Sequence, residues 1–138
     1  MKTLDVVCAV ILENGKILIG RRPPKVHLEN LWEFPGGKMD RGETKEAALH
    51  REIQEERGIS IEIVRFLETI RHAYADRQDV TLMLHFFLCR RKSGQPHPHS
   101  ASEIRWATPQ EMLGLPFPEA DRSLLQKLSA IVENTSTD

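Results

Sequence analysis

The stretch from Gly37 to Ile59, GKMDRGETKEAALHREIQEERGI, constrains this chain more than any other. It leaves a glycine pair in FPGGK (Phe34 to Lys38), read as a glycine loop, and runs into a helix crowded with carboxylates. Glu52, Glu55 and Glu56 stand at i, i+3 and i+4. At roughly 100° per residue, these three share one helical face. Like charges at this spacing repel and weaken an isolated helix, so something positive must compensate. Two compensations fit. One is solvent with nearby Lys and Arg, as on any acidic surface helix. The other is a hard divalent cation: Mg²⁺ takes oxygen ligands, keeps several waters, and is shared between a few carboxylates and substrate phosphates. A glycine loop feeding the helix brings backbone groups close to the same ions and phosphates.

The ends of this helix are marked. Thr44 can serve as its N-cap, and Glu43 and Glu46 suit its N-terminus. Gly58 is the stop signal. Its apolar stripe is short, mainly Leu49 and Ile53 with Ala47 and Ala48. One side therefore packs on a sheet, and the carboxylates lie at the edge of that contact.

The same segment resembles the Nudix box, G-x5-E-x7-R-E-U-x-E-E-x-G-U, where U is a bulky aliphatic residue. Gly37, Glu43, Arg51, Glu52, Ile53, Glu55, Glu56, Gly58 and Ile59 fill every defined position in register. The resemblance implies an α/β fold, the Nudix α/β/α sandwich with a mixed sheet between helices. It also implies a Mg²⁺-dependent hydrolase of nucleoside diphosphates linked to another moiety, with Mn²⁺ as a possible substitute. Glu52, Glu55 and Glu56, with a Gly36 or Gly37 carbonyl, are the implied metal ligands. Arg51 and Glu43 are expected to form an ion pair that orients the carboxylates, and Lys38 to contact phosphate.

Upstream, RRPPKVHLENLW (Arg21 to Trp32) reads as a loop from its Pro-Pro and mixed charge. It is locally basic through Arg21, Arg22, Lys25 and His27, which suits either a solvated loop or substrate contact. Its pattern RR-x4-H-x5-EFPGGK is similar to the MutT-like branch of the Nudix superfamily, where the second Arg and the His contact the nucleotide. That maps onto Arg22 and His27. Phe34 can stack on a base or sit in the core. Downstream, FPEAD (Phe117 to Asp121) resembles the MutT-like FPPAN, with Asp121 where the branch uses Asn to read the base edge. Ionised Asp only accepts hydrogen bonds, whereas Asn also donates. An acceptor-only group suits an exocyclic amino group, as on cytosine, or an N–H edge, so the departure does not imply strict 8-oxo-guanine reading. Asp121 also fits as the N-cap of the last helix. Glu103, three residues before Trp106, is a further candidate metal ligand or proton acceptor, or a plain surface strand glutamate.

The rest of the chain supplies alternating strands and helices. Val6 to Glu13 is a β-rich run, closed by Asn14-Gly15, a strong hairpin signal, before Lys16 to Gly20 returns. Its near-continuous apolar character predicts a strand covered on both faces. Ile61 to Tyr74 and Val80 to Arg90 are strand-like around a polar turn at Ala75 to Asp79, with His85 a structural histidine. Arg91 to Ser102 is a solvated loop whose His97-Pro-His99 fits no zinc spacing. Glu103 to Ala107 is a short strand, Thr108-Pro109 caps a small helix, and Ala120 to Glu133 is a last helix with Leu124, Leu125, Leu128 and Ile131 inward. The final residues, Asn134 to Asp138, are expected to fray.

At 138 residues and a net charge of −1, one domain spanning 1–138 with its catalytic box at 37–59 is expected. The weak net charge argues against a nucleic acid polymer as partner but not against a metal-held nucleoside triphosphate. The N-terminus reads as a strand, not a signal peptide, and no run reaches transmembrane length. Cys8 and Cys89 are expected as buried thiols rather than a disulfide. A cytoplasmic protein, monomeric or homodimeric, follows as the default. Other functions in view are a Nudix hydrolase of dinucleoside polyphosphates or nucleotide sugars, and a non-catalytic nucleotide-binding regulator.

Overall fold

The computed structural model describes residues 2–73 and 79–135. The sheet is organised around strand β1 (Lys2–Glu13), in which Val7 through Leu12 are all buried. Successive side chains of a strand point to opposite faces. Val7, Ala9 and Ile11 enter one core with Ala48, Leu49 and Ile53 of helix α1 (Lys45–Arg57). Cys8, Val10 and Leu12 enter a second core with Leu124, Leu125 and Leu128 of helix α3 (Arg122–Glu133). The expected sandwich is present: a mixed sheet with helices on both faces.

Asn14 and Gly15 take positive φ (53° and 75°), as a two-residue hairpin of the twist-matched kind requires, and Glu13 faces Lys16 across it. Strand β2 (Lys16–Arg21) pairs antiparallel with β1, with β3 (Trp32–Glu33) and with β7 (Glu103–Ala107). The glycine stretch differs from expectation. Gly36–Lys38 is not a free loop but a short strand, β4, antiparallel to Val6–Cys8 of β1. A Cβ at Gly36 would collide with the Val7 carbonyl, so this close backbone approach excludes any side chain. Strand β6 (Val80–Ser93) runs parallel to β1 from Lys2↔Val80 to Ile11↔Cys89, and β5 (Ser60–Ala73) lies antiparallel outside β6. Of the polar turn expected at 75–79, all but Asp79 falls outside the described residues, as does Tyr74. So do the last three residues of the tail.

The α1 caps form as the sequence predicts. The Thr44 hydroxyl accepts from the Ala47 N–H at 3.1 Å, and Gly58 closes the helix at φ 69°. The stripe is shifted, however: Ala47 is exposed, and Arg57 joins Ala48, Leu49 and Ile53 as buried. Leu49, Ile53 and Arg57 stand one turn apart, so the arginine prolongs the apolar row. Helix α2 (Pro109–Leu113) opens with a reciprocal capping box between Thr108 and Glu111. The last helix starts at Arg122 after a 3-10 turn at Glu119–Asp121, and Ile131 is only partly buried. His85 is buried and satisfied by Thr69 (2.8 Å) and Asp5 (2.9 Å). Both cysteines are free and buried, and burial pushes the Cys89 thiol up to about 12. Among the described residues, no helix is long and apolar enough to cross a membrane.

Candidate active site

A cleft of about 450 Å³ opens between the glycine strand β4, the end of α1, the 22–35 segment and the turn before α3. Arg22, His27, Phe34, Gly36, Gly37, Lys38, Glu56 and Asp121 all line it. Residues separated by most of the chain meet here because β4 pairs beside β1 while the turn before α3 packs on the opposite core.

Around α1, the organising group is Arg51. Its Nε and Nη2 grip the Glu43 carboxylate at 2.7 and 2.8 Å, and Nη1 lies 2.8 Å from Glu52 and 3.3 Å from Glu55. Nη2 also donates to the Lys38 carbonyl at 3.1 Å, tying the helix to β4. The expected Arg51–Glu43 pair is thus a bidentate contact, the strong form of such pairs. Together with the Asp40 N–H, Arg51 lowers the Glu43 carboxyl from its ordinary 4.5 to about 2. Glu52 moves the other way: burial raises it, against the opposing pull of Arg51. Its carboxylate lies directly over Gly37, where any Cβ would collide with it. Glu55 is largely exposed, while Glu56 faces the cleft and accepts a hydrogen bond from Ser100 at 3.3 Å.

Among the described residues, no three His, Cys, Asp or Glu side chains converge closely enough to form a ready-made metal cage. The donor set still fits a cation such as Mg²⁺, which uses few carboxylates and retains water. Three carboxylates share one helix face, one of them lies over a glycine backbone, and a cleft adjoins them. Arg51 pairs with two of the three, Glu52 and Glu55.

The 22–35 segment is ordered by Arg22. Its Nε donates to the His27 carbonyl at 2.7 Å, and Nη1 lies 3.2 Å from both Glu33 oxygens. Any ligand contact by Arg22 therefore shares the guanidinium with Glu33. Phe34 is only 6% exposed and packs against Phe86 and Phe117 with centroids 5.5 and 5.7 Å apart, which places it in the core at the cleft wall. Glu103 stands apart from the cleft lining and pairs with Arg21 at 3.2 Å on the β2–β7 edge. Asp121 is not a cap: it has helical backbone angles and no side-chain cap bond. It is 7% exposed, and burial together with the Glu33 charge raises its carboxyl from 3.8 to about 7.

Two cleft residues had no assigned role from sequence. Glu33 lies within the quoted EFPGGK, but nothing in that string shows that it is half-buried beside Arg22, Cys8 and Asp121. Burial raises it against the opposing pull of Arg22. Arg57 occupies a position the box leaves open. Its one signal was its spacing after Leu49 and Ile53 on the buried row.

The NUDIX domain model matches residues 6–127. The chain is 33% identical over 131 residues to the CTP pyrophosphohydrolase of Escherichia coli K12, covering 95% of each chain. It is 34% identical over 132 residues to the 8-oxo-dGTP diphosphatase of the same strain, covering 95% of this chain and 100% of that one. The solution structure of the E. coli ORF135 protein superposes with a TM-score of 0.81 at 31% identity, covering 100% of this chain and 96% of that one. With the box filled at every defined position and the fold matched across its length, the chain belongs to the NUDIX domain family, among its MutT-like hydrolases.

Proposed function

We propose that this protein is a Mg²⁺-dependent pyrophosphohydrolase of nucleoside triphosphates, releasing a nucleoside monophosphate and pyrophosphate, with 8-oxo-dGTP or cytidine-type triphosphates as substrates. One observation carries the reading: a single cleft joins Glu56 of the acidic helix, Lys38 after the glycine pair, and the buried Asp121. The names of the two E. coli relatives point to the same pair of substrate types.

Phosphoanhydride hydrolysis is mostly positioning and charge neutralisation. Glu52, Glu55 and Glu56 would hold the cation, with a Gly36 or Gly37 carbonyl. When bound, Mg²⁺ supplies neutralisation of the polyphosphate charge and acidifies the attacking water. Lys38 meets phosphate. Arg51, gripping Glu43 from below, keeps the carboxylates in register. One of these carboxylates must also accept the proton of the attacking water, and Oε1 of Glu52 is already anchored by Arg51. Glu103, paired to Arg21, is a weaker candidate for that role.

Asp121 is the base-reading residue of this proposal. Its burial revises the acceptor-only argument. A carboxyl that titrates near pH 7 donates and accepts below that value, as Asn does, and only accepts above it. Glu33 and Cys8 are the titratable groups beside it. The decisive experiment is pyrophosphate release from a panel of oxidised, methylated and ordinary nucleoside triphosphates, with and without Mg²⁺, at pH 6 and 8. Turnover of 8-oxo-dGTP relative to CTP should fall at the higher pH, and Asp121→Asn should abolish that drift. No pyrophosphate release from any member of the panel would overturn the proposal.

A further inference from the structure

Arg57 is 2% exposed, in a position the family motif leaves free. A buried charge is costly unless paired, and an apolar side chain would complete the Leu49–Ile53 row more cheaply. A cation near a helix C-terminus is favourable in general, but that does not explain why this one is sunk beneath a glycine. A Cβ at Gly20 would collide with its Nη2, so Gly20 makes the space it occupies. Its Nε is the buried side-chain nitrogen or oxygen without a hydrogen-bond partner among the described residues, so stability alone does not account for it.

What the guanidinium does contact is specific. Nη1 donates to the Glu56 carbonyl at 2.9 Å and to the Pro98 carbonyl at 3.2 Å, and it lies 3.5 Å from Glu56 Oε2. Ser100 Oγ donates to that same Oε2 at 3.3 Å. The His97 N–H returns to the Arg57 carbonyl at 3.0 Å, and the Ala101 N–H closes the turn on Pro98 at 2.8 Å. The 97–101 segment, read from sequence as a solvated loop, is therefore stitched to the end of α1. The Arg57 guanidinium and the Ser100 hydroxyl converge on one oxygen of Glu56.

We propose that Arg57 is a positioning residue for Glu56: it anchors the 97–101 segment, and guanidinium and Ser100 hydroxyl together aim the Glu56 carboxylate at the cleft. Arg57 lies at the cleft wall, but it is 2% exposed and its Nη1 is engaged by Glu56 and Pro98. The inference rests on the reading that Glu56 helps to hold the divalent cation. Partners that orient metal-ligating carboxylates affect metal affinity as well as rate.

The test is Mn²⁺ affinity of the full chain, read by electron paramagnetic resonance titration, for Arg57→Met, Ser100→Ala, Glu56→Gln and the Arg57→Met/Glu56→Gln double variant. Steady-state kinetics and thermal melts accompany it. Arg57→Met should weaken Mn²⁺ binding by about tenfold or more and lower kcat with little change in the KM for nucleotide. Ser100→Ala should shift both in the same direction by less. In the Glu56→Gln background, Arg57→Met should add no further loss, since the group it acts through is gone. A merely structural arginine would lower the melting temperature, leave Mn²⁺ affinity intact and add fully to Glu56→Gln; that result overturns the brace. If Arg57→Met does not fold, the decision passes to Ser100→Ala, and wild-type Mn²⁺ affinity there overturns it equally. Wild-type affinity in Glu56→Gln instead indicts the metal reading itself.

Discussion

Helix α3 sinks Leu124, Leu125 and Leu128 into one face of the sheet, whereas α1 buries Ala48, Leu49, Ile53 and the charged Arg57 against the other. The first is held mainly by apolar area. The second leans on polar hardware: a threonine cap, a left-handed glycine, the Arg51 network and the Arg57 stitches. The difference teaches why the acids can sit where they do. A helix stabilised by its own apolar face needs no carboxylates, and one crowded with carboxylates cannot rely on apolar burial alone. Its ends and its arginines carry the load, leaving the acidic face open to a ligand.

Substitutions on the two helices should therefore fail in opposite ways. Leu128→Ala on α3 removes a fully buried side chain and should cost about 2–5 kcal/mol in urea denaturation, with kcat of the folded protein unchanged. A comparable loss of kcat would mean that α3 shapes the chemistry directly. On α1, Glu55→Gln and Glu56→Gln should each cut turnover at least about 100-fold while the melting temperature hardly moves, because they remove ligand charge and no core. Full activity in either variant would return the acidic face to plain solvation.

Asp121 tests the junction of the two regions, since it leads into α3 yet lines the cleft. An acid whose pKa is raised by folding binds its proton more tightly folded than unfolded. Its ionisation cost is absent below the unfolded value of 3.8 and grows as pH rises through about 7. Between pH 5 and 8 the wild type should lose on the order of 2 kcal/mol that Asp121→Asn keeps. Parallel stability curves for the two proteins would show that the carboxyl is hydrated. The smallest effect is at the α1 cap. Thr44→Ala should cost about 1 kcal/mol, by thermal denaturation, through loss of the bond to the Ala47 N–H. No loss there would mean that the Arg51 network alone secures the helix start.

Much of the architecture was legible because its causes are local. The apolar run at Val6, the Asn14-Gly15 turn, the Thr44 and Gly58 caps and the Thr108 cap each depend on a few adjacent residues, and each forms. The misreadings share the opposite cause. FPGGK looked like a free loop because glycines favour loops, and only pairing with Val6–Cys8 turns it into a strand. For Asp121 the sequence left two roles open, base contact and helix cap, and only the fold shows a side chain that makes no cap bond and lines the cleft. The 97–101 segment looked solvated because nothing in HPHSA announces a buried arginine waiting beneath it.

By itself, the sequence determined that three acids share one face of a single helix. Helix geometry makes such relations independent of the rest of the molecule. Only the tertiary structure decided that Glu33, Arg57 and Asp121 face the same cleft, and how tightly its carboxyls hold their protons. Proton affinity answers to burial and to neighbouring charge, and both are set by strands and helices far apart along the chain.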